Sequence, residues 1–109
     1  MINYPLKWEV WWAKVKFEGS DEVKRRPVLV CGKSGIYLLS CKVTSHEPRD
    51  NYEGEYLLDW QYCGLDCPST VRLGVRIPLL DRDFEGKIGT VSVKDVREIS
   101  NILNRMTRK

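Results

Sequence analysis

The 109-residue chain is short of most things that would make a function obvious. It has one histidine, His46, so a single imidazole at a strand end is all the chain offers as a proton shuttle. It has no run near the ~20 apolar residues that cross a bilayer and no apolar export segment over Met1 to Lys7, so a soluble cytoplasmic protein with no membrane partner is expected. It has little excess charge. Eighteen Lys and Arg against 15 Asp and Glu leave +3, so any attraction to nucleic acid has to come from a local patch. It also has too few residues for two cores, and one domain over 1–109 is expected.

The phosphate-loop glycine is missing too. Gly32, Lys33 and Ser34 imitate the end of a nucleotide-binding loop, but five residues before Gly32 stands Pro27, and a strand rather than a helix follows. The four cysteines are not arranged as two knuckles. Cys63 and Cys67 are four apart, whereas Cys31 and Cys41 are isolated in apparent strands, a weak pattern for zinc; with no export segment, free thiols are expected over disulfides. A zinc-stapled interaction domain would instead bind stoichiometric metal and unfold with chelator.

What is present is mostly strand pattern. From Trp8 to Phe17, Trp11, Ala13, Val15 and Phe17 alternate with Trp12, Lys14 and Lys16, a half-buried strand. Trp11 and Trp12 must face opposite ways, so one of them meets a subunit, a base or water. Residues 18–22 read as a mobile loop, and the acidic stretch 47–55 as a flexible one that either screens a basic site or guides substrate. Between them, Lys24, Arg25, Arg26 and Pro27 run into Val28, Leu29 and Val30. Pro27 suits the first position of a strand, and it holds Arg26 extended at that strand's mouth. A guanidinium on a stiff base suits phosphate recognition.

Val28 to Cys31 and Ile36 to Cys41 read as a hairpin turning through Gly32 to Gly35. Its second strand ends in Thr44, Ser45 and His46, a cluster of hydrogen-bonding side chains where a strand feeds a loop. Tyr56 to Leu58 is a short strand, and Asp59 caps a helical turn before Gly64. Val71, Leu73, Val75 and Ile77 alternate with Arg72, Gly74 and Arg76, predicting one strand with both arginines on one face, until Pro78. A strand over Lys87 to Val91 leads to Ser92, which caps a helix with Asp95 three residues on and a stripe of Val96, Ile99, Leu103 and Met106.

With these pieces in order, the chain resembles the PemK and MazF family of toxin endoribonucleases from type II toxin-antitoxin pairs. The resemblance rests on WEVWWAKVKF, KRRPVLV, LLSCKVTS, DWQYCGLDCPSTVRL and KIGTVS before a terminal helix. It implies a mainly β fold, an SH3-like small barrel of bent antiparallel strands with a C-terminal α-helix, and a homodimer that binds single-stranded RNA near its interface, with a cognate antitoxin peptide as a further partner. The family's chemistry uses the RNA 2'-hydroxyl as nucleophile, leaves a 2',3'-cyclic phosphate, and needs no metal or other cofactor. Arg26 matches the arginine before the family's proline, Thr44 the threonine ending the next strand, and Arg72 an arginine used by some members as an acid or substrate contact; these are the expected catalytic residues. Arg25, Ser45, His46 and Thr70 are the expected substrate-binding residues. Gly74 stands where some members carry an aspartate, so the general base is unassigned. The alternative is a catalytically inactive barrel serving as an RNA- or peptide-binding module.

Overall fold

A computed structural model describes residues 4–16, 21–48 and 54–107. Phe17 and much of the two expected loops, at 18–20 and 49–53, lie outside the described residues. The elements are β1 (Glu9–Lys16), β2 (Val23–Ser34), β3 (Tyr37–Thr44), β4 (Glu55–Leu57), β5 (Thr70–Arg72), β6 (Ile77–Leu79), a 3-10 turn (Asp81–Asp83), β7 (Phe84–Thr90) and α1 (Val93–Thr107). The strands form one antiparallel sheet in the order β4-β5-β3-β2-β1-β7, with β6 also on β3. The mainly β fold with a C-terminal helix is as expected, but the barrel is not closed: among the described residues β4 and β7 are the sheet's ends and do not pair with each other.

Both faces of the central strands are covered, which explains the unbroken apolar run in β2. Leu29 and Cys31 join Val10, Cys41, Val43 and Val71 beneath Ile99 and Ile102 of α1. Val28 packs instead with Ala13, Val15 and Leu79, and Val30 with Trp11 and Leu38. Each large aliphatic side chain buried this way contributes about 1.5–3 kcal/mol. The helix starts where the sequence places it. Ser92 Oγ accepts from the Asp95 amide at 3.1 Å, and the buried Asp95 carboxylate accepts from Tyr56 Oη and the Asp59 amide, both at 2.7 Å. Burial and that carboxylate together push the Tyr56 phenol well above its ordinary value.

At the other end of β1, Trp8 holds a left-handed backbone (φ 77°), with its N–H on the Val30 carbonyl at 2.8 Å and its own carbonyl accepting from Val91 at 3.0 Å. The strain is tolerated because both neighbours hold it in place.

Four expectations change. β2 begins at Val23, not at Pro27, because β1 supplies partners as far as Lys16↔Val23, so Arg26 sits inside the strand and not at its mouth. The hairpin turns at Gly35 (φ 60°) and Ile36, and Gly32 to Ser34 belong to β2. β7 starts at Phe84 and stops at Thr90. The strand expected over 71–77 is two strands broken by a turn at Leu73 and Gly74, with the Leu73 amide on the Gly54 carbonyl at 2.6 Å. Arg72 and Arg76 therefore do not share a face by alternation.

Candidate nucleic-acid interface

β2 and β3 run together from the turn to the pair Val28↔Lys42, and there their ladder ends. Beyond it, Val23 to Pro27 pair with β1 alone, while Val43 and Thr44 pair with β5 on the other edge of β3. Pro27, with no N–H to give, stands at the residue where the strands part. Continued by two residues, the register of Val28↔Lys42 sets Arg26 against Thr44. Alternation gives the same result. Val43 lies in the helix-side core and Val28 on the opposite side, so Arg26, Lys42 and Thr44 share the face away from the helix.

The gap is a groove of about 770 Å³, which both Arg26 and Thr44 line. Seven lysines and arginines line it, Lys16, Lys24, Arg25, Arg26, Lys42, Arg72 and Lys87, against one carboxylate, Asp66. A chain of small net charge thus concentrates cations in one concavity, where field lines focus on an anionic ligand.

Ser45, His46 and Arg72 also reach the groove. Arg72 is oriented by Glu55, its cross-strand partner, with Nε 3.5 Å from Oε2. Arg25 lines the groove from the other face of β2, with its guanidinium carbon 4.3 Å from the centre of the Trp12 ring and Nε 3.0 Å from Glu85 Oε1. Lys14 Nζ stands 3.8 Å from the second Glu85 oxygen. Trp11 is buried, so Trp12 is the tryptophan that leaves the core, and its flat partner makes a stacking surface.

Thr70 does not reach the groove. It is buried, and its hydroxyl donates to the backbone carbonyl of His46, so it fixes the path of the chain after Thr44. Arg76 is likewise elsewhere, beside Cys31. All four cysteines are free, and the described residues hold no cluster of three or more metal-ligating side chains.

Lys42, in the groove lining, and Glu85, which holds Arg25 from outside that lining, are not among the residues the sequence pointed to. Lys42 could have been found, since it stands two residues before Thr44 on the same strand. Glu85, sixty residues from Arg25, carried no local signal.

A family model described as the PemK-like, MazF-like toxin of type II toxin-antitoxin system matches residues 6–107. No curated protein matches the sequence. Among solved structures, the chain is similar to the Mycobacterium tuberculosis toxin MazF-mt6, with 16% identity over 89% of this chain and 93% of that one and a TM-score of 0.69. It is similar to an endoribonuclease in complex with its cognate antitoxin from Mycobacterial species, with 14% identity over 93% and 92% and a TM-score of 0.71. A third is MazE-MazF from Deinococcus radiodurans, with 18% identity over 99% and 100% and a TM-score of 0.71.

Proposed function

The chain belongs to the PemK-like, MazF-like toxins of type II toxin-antitoxin systems, a family of endoribonucleases, and on that premise we propose that it cleaves single-stranded RNA in the cation-lined groove without a metal. The observation that carries this reading is the register that sets Arg26 against Thr44 across a gap where the ladder has ended. A phosphodiester drawn into the gap meets a guanidinium from one strand and a hydroxyl from the next. Arg26 stabilises the charge that builds on the phosphate as the 2'-hydroxyl attacks, and Thr44 donates to a non-bridging oxygen. Arg72, oriented by Glu55, is a second cation at the reacting centre. Arg25 and Ser45 hold the flanking nucleotides, a base stacks over Trp12, and His46, the groove's one imidazole, receives the 2' proton. The reading includes a cytoplasmic homodimer and a cognate antitoxin peptide as the partner that silences it.

Gly74 favours a second reading, a binding module without catalysis, since no carboxylate can stand at that position. Incubating the pure protein with a long RNA in EDTA separates the two. The enzyme yields fragments ending in 2',3'-cyclic phosphate; a binding module leaves the RNA intact.

A further inference from the structure

Away from the groove, β2 and β3 fall out of step. Val30 pairs with Ser40 but Gly32 pairs with Leu39, so Cys31 is the extra residue of a bulge. The bend brings Cys31 Sγ to 2.9 Å from Cys41 Sγ on the neighbouring strand. Both thiols are free; Cys31 keeps 8% of its surface in contact with solvent and Cys41 none. The bulge thus aims one slightly open thiol at a closed one, the arrangement of an attacking sulfur with a resolving sulfur behind it.

The surroundings differentiate the two. Cys31 is lowered from the usual thiol value by its hydrogen bond with Cys41 and by the charges of Arg76 and Lys7, which together outweigh its burial. Cys41 is pushed up, by its hydrogen bond with Cys31 and by burial.

We propose that Cys31 and Cys41 are a redox pair that hydrogen peroxide converts to an intramolecular disulfide, tying the bulge of β2 to β3. The Cys31 thiolate attacks one peroxide oxygen, the O–O bond breaks, and a sulfenic acid forms as hydroxide leaves and is protonated to water. The Cys41 sulfur then attacks the Cys31 sulfur, the S–O bond breaks, and the departing hydroxide takes the Cys41 proton as a second water. Two thiols are oxidised and one peroxide is reduced to two waters. The bond spans the two strands that carry Arg26 and Thr44, and by restricting the unfolded chain it makes the oxidised protein the more heat-resistant form. None of this depends on RNA cleavage.

The test treats the reduced full chain with hydrogen peroxide, blocks remaining thiols with N-ethylmaleimide in denaturant, and maps tryptic peptides. Trypsin cuts after Lys33, so the two cysteines fall in different peptides. The expected result is loss of two of the four thiols, a linked peptide containing Cys31 and Cys41, and recovery with dithiothreitol. In Cys41→Ser the linked peptide is gone and dimedone traps a sulfenic acid at Cys31. Four thiols surviving the treatment, or a loss that falls on Cys63 or Cys67, overturns the proposal. The wild-type map decides this even where the variant fails to fold.

Discussion

Arg26 and Glu9 show how single side chains are set by what lies across the sheet. Arg26 was legible in the sequence because Pro27 follows it, although the reason changed: the proline stands where two strands separate, within a strand that already runs. Glu9 was not legible, since its partners come from a turn, its own strand and β7. Its Oε1 accepts from the Leu6 amide at 2.8 Å and Trp11 Nε1 at 2.9 Å, and its Oε2 takes Lys87 Nζ at 2.9 Å. Burial raises its affinity for a proton, but Lys87 and the two N–H donors prevail and leave the carboxyl below its ordinary value of 4.5. A lowered folded-state value stabilises the protein above the unfolded value, and that stabilisation is lost as pH falls through the lower folded one. Unfolding in urea is therefore expected to become easier below about pH 4.5. Glu9→Gln is expected to cost about 2 kcal/mol at pH 7 and to flatten the acid limb. An acid limb equally steep in the variant would remove Glu9 from this account.

Among the elements, those with local causes were read correctly and those with distant causes were not. β1 and α1 follow from strand and helix periodicity and from the Ser92 cap, all within one segment. The single strand expected over 71–77 is broken in two because its alternation says nothing about register on β3. Between the pairs Val43↔Val71 and Ser40↔Ile77, β3 advances past Cys41 and Lys42 only, whereas the facing chain runs through Arg72 to Arg76, and the surplus is expelled as a turn. Gly89 belongs to the same class. A Cβ there would overlap the Cys63 carbonyl oxygen, because β7 packs backbone against backbone on the turn that ends at Gly64. Gly89→Ala is expected to cost about 1–3 kcal/mol in urea unfolding with unchanged m-value. Gly86→Ala, whose Cβ meets nothing within 4 Å, is expected to cost less.

For the whole molecule, the small net charge conceals its distribution. The chain carries 18 Lys and Arg, and seven of them meet in one groove, which composition could not show. Binding to a single-stranded RNA should weaken linearly in logarithmic plots against salt, each phosphate contact adding about 0.7 to the slope. Arg26→Ala and Lys42→Gln are each expected to reduce the slope by about that amount, measured by fluorescence anisotropy. Lys94→Gln, on the exposed side of α1, should leave it unchanged. An identical slope in all three would place the RNA elsewhere. The fold itself was legible as a class, a sheet with a closing helix, while its open ends were not, since closure depends on pairing between β4 and β7 that no local pattern reports.

The most direct measurement is the RNA cleavage rate in EDTA for the wild type, Arg26→Ala, Thr44→Ala and the double variant. If both side chains act on one phosphate, each single change slows cleavage about 100-fold or more, and the double variant loses less than the product of the two. Losses that multiply independently, or a wild type that cleaves nothing, would contradict the shared phosphate site between β2 and β3.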